Sequence, residues 1–168
     1  VGYSIKNVTT LGYLLSQPGV ILHYLRLSLW PDILLLNYNW PVARTIQSVL
    51  PPLLAVVGLL AAALYSLRRP EKQWRVLSFL GAWFFLTLAM SSSFFPIKDL
   101  AFEHRMYLAL ASVVALFVVA LTKLVHGGKA RLALVLAAAA ALGVRTRLRN
   151  EDYRSPYTIW EGVLAEVP

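Results

Sequence analysis

The chain contains no cysteine. Disulfide staples, thiolate nucleophiles and cysteine-ligated metal sites are therefore excluded. Acid is scarce: eight Asp and Glu stand against sixteen Lys and Arg, a formal net charge of +8. Charge of either sign is thin as well, at 14% of residues, where an ordinary soluble domain carries roughly 25%. No glycine-rich phosphate loop is present, because "HGGKAR" at 126–131 lacks the required spacing. No Ser, His and carboxylate fall into a recognisable triad motif, and no basic–aromatic RNA motif is visible. The positive charge is accordingly not assigned to nucleic acid.

What is abundant is hydrocarbon, at 58% of residues. Four stretches carry no charge: Thr45 to Leu67, Val76 to Ile97, Met106 to Thr122 and Leu132 to Val144. A helix needs about 20 mostly apolar residues to cross a bilayer's hydrocarbon core, with a range of roughly 17 to 25. The first three reach that length. The fourth needs the stems of Lys129, Arg131 and Arg145 to lie along the helix while their charges stay wet. The expected fold is all-α and polytopic: transmembrane helices near 45–67, 76–95, 105–124 and 129–148. The alanine-rich fourth span is expected to pack between neighbours, since small side chains permit close approach in lipid.

Residues 1–44 are apolar but interrupted, and are expected to form an extracytoplasmic or interfacial segment. In "SQPGVILHYLRLSLWP", Ser16 can cap a helix with Pro18 in its first turn. Leu22, Leu25 and Leu29 then share one face, with His23 and Arg26 off it. That pattern predicts an amphipathic helix lying in the membrane interface, ended by Pro31. "NYNWP" follows as a turn. Pro51 and Pro52 predict that the regular part of the first span starts there, because proline is cheap only in a helix's first turn.

Loop charge sets orientation. Arg68, Arg69, Lys72 and Arg75 follow the first span, and Lys123, Lys129 and Arg131 follow the third. The loop between the second and third has only Lys98 and Arg105, offset by Asp99 and Glu103. Positive-inside bias puts the two basic loops in the cytoplasm. Residues 1–44 and 149–168 then lie outside, although Arg145, Arg147, Arg149 and Arg154 oppose this. The expected location is a membrane, with a bacterial inner membrane as the leading case. In the tail, Ser155–Pro156 starts a helix whose Tyr157, Trp160, Val163 and Leu164 share a face, as at the start of a helical repeat. The sequence begins at Val1 and stops at "LAEVP", and is read as an excerpt of a longer polypeptide.

One stretch concentrates chemistry. "FFPIKDLAFEHRMYLALASVVALF" sets Lys98, Asp99, Glu103, His104 and Arg105 directly against a span. Three readings are open. These residues solvate the outer end of a helix. Or Arg105, with His104, faces inward and holds a phosphate, for which the planar guanidinium is suited. Or Asp99, Glu103 and His104 bind a divalent metal. No catalytic residue is assigned, and no cofactor is required.

Three segments taken together resemble the transmembrane and tetratricopeptide-repeat (TMTC) proteins and their bacterial relatives. "EHRMYLALAS" at 103–112 is similar to that family's Glu-Arg-x-x-Tyr-Leu-Pro-Ser type signature. "YLLSQPGVILHYLRLSLWPDILLLNYNWP" at 13–41 looks like the segment before it, and "RNEDYRSPYTIWEGVLAEVP" at 149–168 like the junction into the repeats. The resemblance implies a GT-C-type glycosyltransferase. Such an enzyme moves a sugar from a polyprenyl-phosphate donor to a protein hydroxyl outside the cytoplasm, with the repeats binding acceptor protein. Glu103, Arg105 and Tyr107 carry over by position, Arg105 as the donor-phosphate contact. Asn37 and Asn39 stand where relatives often have aspartates, Ala109 replaces the usual proline, and the family's carboxylates belong upstream of Val1. The second expectation is a non-catalytic transmembrane accessory or scaffold subunit, packed in a larger membrane complex.

Overall fold

A computed structural model describes residues 10–31, 40–43, 45–91, 103–153 and 155. Five α-helices follow one another: α1 (Thr10–Leu29), α2 (Ile46–Leu67), α3 (Lys72–Ser91), α4 (Tyr107–Leu124) and α5 (Gly128–Asp152). A 3₁₀ turn, Glu103–Met106, leads into α4. No strand occurs among the described residues, so the expected all-α class holds.

The α2–α3 and α4–α5 turns have local causes. Pro70 disfavours helical geometry at Arg69, and α2 stops after Leu67, with the Arg68 N–H donating to the Tyr65 carbonyl at 3.1 Å. The Glu71 carbonyl then takes the Trp74 N–H at 3.0 Å and α3 begins. Between α4 and α5, Gly127 adopts φ +102°. That left-handed conformation is cheap only for glycine.

Helices α2 and α3 pack as sequence neighbours, as do α3 and α4, while α1 lies against α2 and touches α4. The α2–α3 seam is unusually close. A Cβ placed on Gly81 would sit 2.6 Å from the Ala63 Cβ. Beside that contact the Ser66 and Ser78 hydroxyls hydrogen-bond to each other at 2.8 Å, buried between the helices. The core gathers Val20 and Tyr24 of α1, Phe84 and Leu88 of α3, and Met106 and Ala109 at the start of α4. Trp40, from the "NYNWP" turn, packs against this core.

Helix α1 departs from the expected geometry. It begins at Thr10, so Ser16 is not its cap and Pro18 lies in its interior. The missing proline N–H leaves the Leu14 carbonyl without its usual donor, at a cost of about 3 kcal/mol or more. Burial of Tyr13, Val20 and Tyr24 offsets it. The fully buried face carries Tyr13, Gln17, Val20 and Tyr24; of the leucine stripe, Leu25 packs against the core and Leu22 is part-buried, while Leu29 is 68% exposed. Helix α2 likewise starts at Ile46, a turn ahead of Pro51 and Pro52.

Among the described residues two helices, α2 and α4, are long and apolar enough to cross a membrane. None of the apolar stretch of α2 is buried within the chain, and 17% of that of α4. A soluble protein's core helix would bury such a surface. The other two expected spans, α3 and α5, do not reach that length and apolarity over their described extents. Lys72 and Arg75 occupy the first turn of α3, and residues 92–95 lie outside the described range. Lys129, Arg131 and Arg145 interrupt α5. The packing expected for α5 is absent within the described chain. Leu132, Leu136 and Val144 are exposed, and one hydrogen bond, Arg145 Nε to the Pro31 carbonyl at 2.8 Å, ties α5 to the segment after α1. The expected repeat helix beyond residue 155 also lies outside the described range.

Candidate functional site

The 3₁₀ turn is seated from below by hydrocarbon. Met106 and Ala109 insert into the core against α1 and α3, which fixes the backbone at the entry to α4. Arg105, the residue before Met106, is half-buried. Its Nη1 donates to the Tyr13 hydroxyl at 3.3 Å, across 92 positions of sequence. Tyr13 itself is fully buried. A long, flexible cation is thus held beside α1 instead of trailing into solvent.

One turn further along the same face of α1 lies Gln17, 4% exposed. Neither its Nε2 nor its Oε1 has a hydrogen-bond partner. Burying an amide in that state costs roughly 2–7 kcal/mol depending on the reference medium. The neighbouring Ser16 is fully engaged: its hydroxyl donates to the Gly12 carbonyl and accepts the Ala43 N–H, both at 2.8 Å. This pins residues 40–43 to α1 and brings the Trp40 ring 4.9 Å from the His23 ring. Tyr13 and Gln17 of α1 form a buried polar corner with Arg105, in which the half-buried guanidinium alone is open to a ligand, and a guanidinium suits an anionic group.

Of the residues singled out in sequence, Arg105 joins this corner. Tyr107 is 70% exposed. The side chains of Glu103 and His104, and the whole of Asp99, lie outside the described residues. Among those described, no three His, Cys, Asp or Glu gather as a metal site would require. Sequence reasoning missed Tyr13 and Gln17. The available signal is a glutamine set among apolar residues in "YLLSQPG", but Ser-Gln-Pro-Gly equally spells a helix start.

The opposite ends of α3 and α4 carry the basic turns. Arg69 lies over the Tyr65 ring, its guanidinium carbon 5.0 Å from the centroid, and donates to the Tyr65 hydroxyl. That hydrogen bond raises the pKa of its guanidinium above the ordinary arginine value. Between α1, α2, α3 and α4 runs an apolar groove of about 290 Å³ lined by Leu25, Ala63, Gly81, Phe84 and Val113 among others.

Fold and site together define an all-α protein with two helices able to span a membrane and a polar corner at the entry to one of them. No family model matches the sequence, and neither a curated protein nor a solved structure matches it.

Proposed function

We propose that the chain is the later membrane portion of a multi-pass glycosyltransferase of GT-C type. In this reading it uses a polyprenyl-phosphate-linked sugar to modify protein hydroxyls outside the cytoplasm. Membrane embedding is supported by the exposed apolar surfaces of α2 and α4, with α3 and α5 as further spans. The basic turns at Arg68–Arg75 and Lys123–Arg131 face the cytoplasm, and Arg105 lies at the outer end.

Arg105 carries this reading. It is half-buried and held by Tyr13 where an apolar helix begins, as a donor-phosphate contact requires. When an acceptor hydroxyl attacks the anomeric carbon, the bond from that carbon to the phosphate oxygen breaks and negative charge collects on the leaving phosphate. A fixed guanidinium there lowers the barrier. The base that takes the hydroxyl proton is assigned to none of the described residues. In the full-length polypeptide, Arg105→Ala is expected to weaken binding of the lipid-linked donor and to slow transfer by at least tenfold. Donor affinity and turnover equal to the parent's would refute the role.

A second reading, a non-catalytic membrane scaffold, is favoured by α5, whose leucines and valines find no cover within the described chain. Cross-linking from Leu136 in native membranes distinguishes the two. A single protein partner captured at this helix, with no transferase activity in the full-length polypeptide, supports the scaffold.

A further inference from the structure

The far end of the bundle holds a pocket that the transferase reading does not use. It has a volume of about 460 Å³ and lies between the first turn of α3 and the last turns of α4. Lys72, Gln73, Thr122 and Lys123 line its polar part, and Val76 and Val119 its apolar part. Lys123 Nζ donates to Gln73 Oε1 at 3.4 Å, linking the two walls.

Both walls change character in the same direction. Val76 lies one turn after Lys72, and Val119 one turn before Lys123, so each valine shares its lysine's helix face. Moving along either wall away from the basic turns leads from ammonium to hydrocarbon within about 6 Å. A phospholipid has the same order, phosphate and then acyl chain. The surroundings favour negative charge: 68–75 and 123–131 together hold seven Lys and Arg against one acid, Glu71, which sits at the pocket wall.

We infer that this pocket binds an anionic phospholipid, with its phosphate between Lys72 and Lys123 and an acyl chain leaving over Val76 and Val119. The inference rests on the membrane embedding proposed above and is independent of the transferase chemistry. A free phosphate would use the lysines alone; the paired valines point to the lipid.

The test reconstitutes the chain in nanodiscs of phosphatidylcholine with a minority of phosphatidylglycerol. Lipid retained after extraction into detergent is then counted by native mass spectrometry. Phosphatidylglycerol is expected to be retained in preference to phosphatidylcholine. Lys72→Gln/Lys123→Gln is expected to weaken that retention about fivefold per lysine, about 30-fold for both. Lys72→Arg/Lys123→Arg should keep it, which separates lost charge from a misfolded pocket. Arg68→Gln/Lys129→Gln removes the same charge from the same end outside the pocket, where it acts on a bound phosphate only through screening solvent, and should weaken retention far less than the pocket variant. Equal retention of both lipids, or an equal loss in the Arg68/Lys129 variant, overturns the site. Failure of the chain to enter the bilayer, read by flotation, overturns the membrane reading and the site with it.

Discussion

Replacing Gly81 with alanine adds one carbon at the tightest point between α2 and α3. The new Cβ would lie 2.6 Å from the Ala63 Cβ, against the 3.4–4 Å of ordinary contact. Neither atom can rotate away, because each is bonded directly to a helix backbone. The helices must therefore separate by about 1 Å, the shortfall from ordinary packing distances. Overpacking of this kind costs about 1–3 kcal/mol. Separation also stretches the 2.8 Å Ser66–Ser78 hydrogen bond, worth about 0.6 kcal/mol between helices in lipid. Alanine returns about 0.8–1 kcal/mol through its higher helix propensity. The expected net loss is about 1–2 kcal/mol. Equilibrium unfolding in mixed detergent micelles, followed by circular dichroism, reads it. The companion variant Ala63→Gly/Gly81→Ala removes the clash and should recover most of the loss, a coupling of about 1 kcal/mol or more. Gly81→Ala as stable as the parent, or a double variant no better than the single, would refute the close α2–α3 approach.

Gln17→Leu replaces a buried amide that has no partner with an apolar side chain of similar size. It should raise stability by about 1–3 kcal/mol in the same unfolding assay. A destabilised Gln17→Leu protein would show that the amide is satisfied in the folded state. Gly127→Ala forces a side chain onto φ +102° and should cost about 1–2 kcal/mol; unchanged thermal unfolding would mean that the α4–α5 turn adopts another conformation.

Much of the helical layout is legible in residue order because it follows from local chemistry. The charge-free run from Thr45 to Leu67 is matched closely by α2, and the Lys129 to Leu148 expectation by α5, which begins one residue earlier and runs to Asp152. Pro70 and the Gly127–Gly128 pair mark turns by backbone preference alone. The same local logic misplaced the start of α1. Proline is costly in a helix interior, and only the burial of Tyr13, Val20 and Tyr24 against distant helices outweighs that cost. Helix α5 shows the converse: its alanines permit close packing, but permission is not contact, and no helix of the described chain covers it.

Length and the absence of charge decided, before any folding, that α2 and α4 can cross a bilayer, because transfer to hydrocarbon depends on the residues themselves. Arg105 was conspicuous in sequence as a cation set against a hydrophobic run. That its guanidinium meets Tyr13, and that Gln17 lies buried one turn away, was decided only when α1 docked beside the entry to α4. Side chains 92 positions apart are joined by helix packing, and no local propensity encodes which face of α1 that packing will bury.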